Sequence, residues 1–146
     1  MLYKIFNLGI AFCLLVSTEA FSKDWQVNML NYGEAGSMVF EPAYIEAKLG
    51  DSVTFIPAQS GHNAKSYLVP EGDKGWASQL NEEFTLSLNH EGVHLFYCPP
   101  HLMMGMVGLI KVGATYNKSL LEKQYPRLRS KIVLNPERAD AILENL

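Results

Sequence analysis

The chain has 146 residues, with 12 Lys and Arg against 15 Asp and Glu, so its formal net charge is −3 at pH 7. A weakly acidic chain without a long basic run lacks the positive surface on which nucleic-acid binding depends, so nucleic acid is excluded as the expected partner. The length beyond the first 22 residues suits one domain that can bury a core without disulfide bonds.

Residues 1–22 have the pattern of a secretory signal peptide that is cleaved during export. Lys4 supplies the positive charge, and small and polar residues follow an apolar run. That run, about 12 residues long, is too short to span a bilayer. Cleavage after Ala20 and after Ser22 both fit the pattern, and we favour Ser22. An uncleaved membrane anchor is the alternative, but we expect no membrane insertion after cleavage.

Cys98 is the only cysteine that remains after residue 22, because Cys13 belongs to the predicted signal peptide. An exported protein with one thiol has no internal disulfide, and a bare thiol there is exposed to oxidation. Ligation of the sulfur to a metal ion would remove this problem.

Residues 23–114 are expected to form a mainly β sandwich or barrel, because short alternating segments lie between turn residues. In Ser52–Pro57, for example, Val53 and Phe55 point to one face, and Ser52 and Thr54 point to the other. The predicted strands, which we expect to pair antiparallel, are Trp25–Asn31, Met38–Phe40, Tyr44–Lys48, Ser52–Pro57, Ala64–Val69, Phe84–Asn89, Val93–Cys98 and Val107–Val112. Asn31-Tyr-Gly33 is interpreted as one of the breaks between them.

Residues 115–146 change to a helical pattern and are expected to pack one or two helices against the sandwich. The first predicted helix includes Ser119–Gln124 and stops at Pro126. The second begins with Asn135 as N-cap and Pro136 at the first helical position.

The segment Cys98-Pro-Pro-His101-Leu-Met-Met-Gly-Met106 directly follows a predicted strand. It places a thiolate, an imidazole and a thioether close enough along the chain to surround one metal ion. A weakly bound thioether beside a thiolate and imidazoles is typical of copper in an electron-transfer site. The alternative to a metal site is a core cysteine and a buried methionine with an unrelated histidine. However, Cys, His and Met in this order after a strand are not a known packing pattern.

His62 is the best candidate for the fourth ligand, since it follows a predicted strand in the tight loop Ser60-Gly-His-Asn63. The alternative for His62 is an ordinary polar loop residue. Asn63 is expected to hydrogen-bond to the backbone beside Cys98 and to hold the two ligand loops together.

The remaining histidines and methionines are assigned other roles. His90 is expected to be an exposed turn residue, and His94 a hydrogen-bonded core residue. Met103 and Met104 are expected to supply packing beside Met106. Met29 is expected to lie in the core.

The chain resembles the pseudoazurins, small blue-copper proteins of the cupredoxin superfamily. The motifs that carry the resemblance are Met29-Leu-Asn31, Met38-Val-Phe-Glu-Pro-Ala-Tyr-Ile45, Gly50-Asp51, Val53-Thr-Phe-Ile-Pro57, Gly61-His-Asn63 and Cys98-x-Pro-His101-x4-Met106. The resemblance implies a Greek-key cupredoxin-like sandwich with C-terminal helices and one copper ion per chain. It implies that His62, Cys98 and His101 are strong ligands and Met106 is the long axial one.

The resemblance also implies which side chain packs beside the copper site. At two positions this chain differs from the usual family sequence. Met38 falls where the family packs a side chain near the exposed copper-binding histidine. Tyr97 and Pro99 stand where the family commonly has a basic residue and a threonine, and Phe96-Tyr-Cys98 is instead similar to plastocyanin. In plastocyanin that tyrosine lies on a surface that binds partners.

We therefore expect a monomeric, periplasmic one-electron carrier that cycles between Cu(I) and Cu(II) and is not an enzyme. His101 is the expected electron port, within an apolar patch that docks transiently to redox partners, with nitrite reductase or a cytochrome as candidates. The patch consists of Pro57, Pro99, Pro100, Leu102 and Met103. The alternative is a periplasmic protein for copper delivery or storage. An enzyme with Cys98 as nucleophile and a metal-free adhesion sandwich are further alternatives.

Overall fold

Within the described part of the chain, eight strands and two C-terminal α-helices make up the fold. The computed structural model describes residues 22–146, so the predicted signal peptide lies outside the described residues except for Ser22. The elements are β1 (Asp24–Gly33), β2 (Gly36–Glu41), β3 (Tyr44–Ala47), β4 (Ser52–Ile56), β5 (Lys65–Leu68), β6 (Phe84–Ser87), β7 (Gly92–Tyr97), a 3₁₀-helix (Pro99–Met104), β8 (Val107–Val112), α1 (Lys118–Arg129) and α2 (Glu137–Leu143). Neither α-helix of the described residues is long and apolar enough to cross a membrane.

The strands form two four-stranded sheets with the orders β2-β1-β4-β6 and β3-β8-β7-β5. This confirms the mainly β two-sheet fold that the sequence predicts. Most neighbours are antiparallel, but β1 pairs parallel with β4, and β3 pairs parallel with β8. Strands that are neighbours in a sheet are therefore often distant in sequence. The residues that follow β4 and those that follow β7 lie at the same end of the sandwich.

The strand β1 is longer than the sequence predicts. The segment Asn31-Tyr-Gly33 was expected to be a break, and this is wrong, because Tyr32 pairs with Ser37 and Gly33 pairs with Gly36. The hairpin therefore turns two residues later than expected, and Asn31 lies inside β1 instead of at its end.

The first hydrophobic core lies between the two sheets. Its centre holds three aromatic rings, and Phe96 meets Phe40 and Phe55 edge-to-face with ring centroids 4.9 and 5.1 Å apart. Such contacts add to the free energy gained by burying the rings themselves. Met29 is fully buried in the same cluster, as the sequence predicts.

The second hydrophobic core lies on the other face of the β3-β8-β7-β5 sheet, where α1 and α2 cover it. Along β7, Phe96 points into the first core, while Val93 and Leu95 point into the second. A strand that is buried on both faces has a nearly continuous apolar sequence. The run from Val93 to Tyr97 has this composition.

The first helix differs from its predicted extent. The sequence predicts a stop at Pro126, but α1 continues to Arg129 with Pro126 inside it. Proline removes one backbone hydrogen bond, and the burial of Leu128 compensates for this loss. Arg129 also binds the carboxylate of Asp140 in α2 with a contact of 2.9 Å.

The start of α2 also differs from the prediction. Asn135 was expected to cap the helix with its side chain, and this is wrong, because no side chain caps this helix. Asn135 has a positive φ of 52°, and its side-chain amide donates to the carbonyl of Met104. The helix with a side-chain cap is α1, which the sequence analysis did not predict. There Asn117 Oδ1 accepts from the Leu120 amide at 2.9 Å.

The packing of α1 predicts that the tail unfolds together with the sandwich. Replacing the fully buried Leu128 by Ala leaves a cavity in the second core, so we expect the free energy of unfolding to fall by about 2–5 kcal/mol. Leu134, 52% exposed, is the matched control, and Leu134→Ala should change stability by at most about 0.5 kcal/mol. Urea unfolding of the metal-free protein measures both. A separate early transition in Leu128→Ala would contradict a single cooperative unit.

Candidate metal centre

The four side chains predicted as ligands come from two segments at one end of the sandwich. His62 lies in the loop between β4 and β5, and Cys98 follows β7 directly. His101 sits in the 3₁₀-helix, and Met106 comes just before β8. The Cys98 amide donates to the carbonyl of Met106 at 3.0 Å, and the His101 amide donates to the carbonyl of Cys98 at 3.0 Å. The segment therefore folds back on itself and returns Met106 to Cys98.

The potential ligand atoms of His62, Cys98 and His101 all lie within 4.8 Å of one another. The Cys98 sulfur is 3.5 Å from Nδ1 of His101 and 3.9 Å from Nδ1 of His62. The two imidazole rings have centroids 4.9 Å apart. One metal ion between these three atoms could contact all of them.

Burial differs sharply among the four residues. Cys98, His62 and Met106 are fully buried, whereas His101 is half-buried. A metal ion held here would be enclosed by protein on most sides, with the His101 ring nearest to solvent.

Burial also sets the protonation of these groups. It raises the pKa of the Cys98 thiol, although the backbone N–H groups of Asn63 and His101 act in the opposite direction. It lowers the pKa of His62 and of His101, and His101 lowers that of His62 further. At neutral pH the metal-free site therefore holds a thiol and two neutral imidazoles. This donor set fits copper, because thiolate and thioether are soft ligands and imidazole suits copper as well.

Asn31 fixes the orientation of the His62 ring. Nε2 of His62 donates to Oδ1 of Asn31 at 2.8 Å, which leaves the lone pair of Nδ1 directed towards Cys98. Sequence reasoning missed this role, because Asn31 was expected to end its strand and to begin the following break. The parallel pairing of β1 with β4 is what places Asn31 beside the loop of His62.

The side chain of Asn63 does not make the hydrogen bond that was expected of it. Its side-chain amide donates to the carbonyl of Ser78 at 3.3 Å instead of reaching the backbone beside Cys98. The backbone N–H of Asn63 is the group that acts on the Cys98 sulfur. The two ligand loops are therefore connected through the main chain.

The remaining histidines of the described residues, His90 and His94, lie outside this cluster. His90 is exposed, as predicted, and His94 is fully buried with Nδ1 accepting from the indole N–H of Trp76 at 3.2 Å, also as predicted. Met104 is half-buried, but Met103 is 62% exposed, so its expected packing role is wrong. The exposure of Met103 agrees with its predicted place in an apolar surface patch.

Comparison with known proteins decides between these interpretations. The family described as copper binding proteins of the plastocyanin/azurin family matches residues 27–113. A pseudoazurin from Paracoccus pantotrophus is 41% identical over 115 residues, which cover 77% of this chain and 79% of that protein. The crystal structure of native pseudoazurin from Hyphomicrobium denitrificans matches with a TM-score of 0.70 and 29% identity, covering 84% of this chain and 98% of that one. The chain is a member of the pseudoazurins.

Membership of the pseudoazurins confirms several expectations from the sequence. Copper is the cofactor, and carrying electrons to and from redox partners, not catalysis, is the class of function. A putative pseudoazurin from Rhizobium leguminosarum bv. viciae, 40% identical over 112 residues and covering 74% of each chain, agrees with this assignment. The cupredoxin fold is confirmed as well.

The buried His94 predicts a specific loss of stability in acid. Burial lowers its pKa to about 4, against the opposing effect of the Asp73 carboxylate, which also contacts His90. Below pH 6.5 the unfolded chain therefore binds a proton that the folded chain rejects, since protonation of Nδ1 would break the bond from Trp76. The contribution of His94 is fully present above pH 6.5 and is lost as the pH falls to about 4.

Urea unfolding of the metal-free protein between pH 7.5 and pH 4 measures this loss, which we expect to reach about 3 kcal/mol. The variant His94→Gln keeps an acceptor for Trp76 without titrating, so its stability should depend less on pH by that amount. The difference between the two proteins removes the contributions of His62 and His101. Equal pH dependence of stability in wild type and His94→Gln would contradict the assignment.

Proposed function

We propose that His62, Cys98, His101 and Met106 hold one copper ion, and that the chain is a periplasmic one-electron carrier. The observation that supports this proposal best is the enclosed cluster of a thiol and two imidazoles within 4.8 Å, beside a fully buried thioether. When bound there, copper supplies a Cu(I)/Cu(II) couple that exchanges one electron.

The protein's part in this function is to hold the ligands in one arrangement. The bonds of Cys98 to Met106 and of His101 to Cys98 close the ligand loop, and Asn31 prevents rotation of His62. A site held in this way changes little when its charge changes by one electron, which favours rapid transfer.

The same burial argues against copper delivery or storage as the function. A delivery protein benefits from an open and incomplete ligand set that a receiving protein can reach. Here His62 and Cys98 have no exposed surface, and only His101 is accessible among the three.

The periplasmic location rests on the predicted signal peptide in residues 1–22. We propose a monomer that docks transiently to an electron donor and an electron acceptor, with nitrite reductase or a cytochrome as candidates. His101 would be the electron port. The apolar rim around it includes Pro99, Pro100 and Met103, which are exposed.

The visible spectrum tests the copper site directly. Addition of Cu(II) to the purified protein without residues 1–22 should give an intense blue thiolate band that disappears on reduction. Cys98→Ser should remove the band, because a hydroxyl cannot replace the thiolate. His90→Gln is the matched control and should leave the spectrum unchanged. A colourless wild-type protein that still binds copper would instead favour delivery or storage.

The port assignment has its own test. His101→Gly removes the half-buried ring and opens the copper to solvent, so electron exchange with a redox partner should become at least about tenfold slower, since a tenfold change needs only about 1.4 kcal/mol in the barrier. Stopped-flow kinetics with reduced cytochrome measures this rate, and His90→Gly removes an exposed histidine elsewhere as the control. Unchanged kinetics in His101→Gly would rule out this port.

A further inference from the structure

The C-terminal tail contacts the ligand loop through backbone carbonyls that lie between His101 and Met106. The carbonyl of Met103 accepts from the amides of Val133 and Leu134 at 2.9 and 2.8 Å. The next carbonyl, that of Met104, accepts from the side-chain amide of Asn135 at 3.3 Å. The segment before α2 therefore holds the end of the 3₁₀-helix in place.

Arg138 extends this contact to the opposite sheet. Its guanidinium donates to the carbonyls of Ser37 and Ala35, each at 2.8 Å, and to that of Met38 at 3.2 Å. It also donates to the carbonyl of Met104 at 3.4 Å. One planar group with several fixed donors thus joins the β1–β2 hairpin to the ligand loop.

Two glycines lie in close contact with the tail. Gly36 has a φ of +102°, and a Cβ added there would lie 2.9 Å from Nη2 of Arg138. Gly105 has a φ of +79°, and a Cβ there would lie 2.9 Å from the carbonyl oxygen of Asn135. Glycine at both positions lets the tail approach the two segments closely. The guanidinium is half-buried in the resulting cradle.

This arrangement connects Arg138 to the metal centre by a short path. Met104 is followed by Gly105 and Met106, and the carbonyl of Met106 accepts from the amide of Cys98. The amide of Met106 donates to the carbonyl of His101 at 3.3 Å. Displacement of the Met104 carbonyl would therefore move the thioether relative to the sulfur of Cys98 and the ring of His101.

We propose that Arg138 is a positioning residue for the copper site, which it serves by fixing the ligand loop against the β1–β2 hairpin. The proposal rests on the proposed function, in that Met106 is taken as a copper ligand. Arg138 does not contact the metal, and its effect passes through Met104 and Gly105. Removal of its donors should loosen the loop and weaken the hold on copper.

Three variants test this role. Arg138→Met keeps the apolar stem and removes every donor, whereas Arg138→Lys keeps the charge but lacks the planar fork. Arg127→Met makes the same change at an exposed position of α1 and is the matched control. Release of copper to an excess of chelator should be about 10- to 100-fold faster in Arg138→Met, intermediate in Arg138→Lys and unchanged in Arg127→Met.

Hydrogen exchange in the metal-free protein separates positioning from general stability. In Arg138→Met the amides of Gly105 and Met106 should exchange about tenfold faster, a change of about 1.4 kcal/mol in local opening, while the amide of Phe96 in β7 exchanges at the wild-type rate. Equal acceleration at Phe96 would overturn the proposal, because it would show only global destabilisation. Because no copper is present, this measurement decides the role of Arg138 even if the wild-type protein shows no blue band and the proposed function fails.

Copper release supplies the remaining outcomes. Wild-type rates in both Arg138 variants would overturn the proposal, and so would equal acceleration in Arg127→Met. If Arg138→Met does not fold, Arg138→Lys takes its place. Faster copper release and faster Met106 exchange in Arg138→Lys would then support the proposal, and wild-type values would overturn it.

Discussion

The burial of β7 on both faces is the constraint on which the metal centre depends. Phe96 packs between the sheets, while Val93 and Leu95 pack beneath the helices, so the strand has no free face. A shift of the strand register by one residue would exchange the side chains on the two faces of β7, so that neither core would be packed correctly. Cys98, the residue after this strand, is therefore held at one depth in the molecule. The rest of the site is arranged around its sulfur.

A consequence of this depth is that burial keeps Cys98, His62 and His101 uncharged in the metal-free protein. Water would stabilise a thiolate and protonated imidazoles, but burial raises the pKa of Cys98 and lowers those of His62 and His101. The metal-free site is thus uncharged, and the charge of a bound ion is what favours the thiolate. The hydrogen bond from His62 to Asn31 keeps the ring oriented even without the metal.

The sequence predicts those parts of the structure that are encoded locally. Short segments between turn residues located all eight strands, and the segment from Cys98 to Met106 contains three of the four predicted ligand side chains. The position of His62 was predicted because a loop histidine after a strand completes that donor set. Asn31 and Arg138 were not predicted, because their roles arise from contacts with residues that are distant in sequence. The continuation of α1 past Pro126 was missed for the same reason, since Leu128 is buried against residues of other elements in the second core.

The tail also changes the meaning of the plastocyanin-like segment Phe96-Tyr-Cys98. Tyr97 lies on the face of β7 that the helices cover, and its side chain is half-buried against the second core. A tyrosine at this position is therefore partly shielded by the tail, whereas partner binding requires an accessible surface. His101 is half-buried, and Pro99, Pro100 and Met103 in the same loop are exposed. In the proposed function, the same tail thus holds the ligand loop in place and partly covers Tyr97. The rim of His101 then remains as the accessible surface for partners.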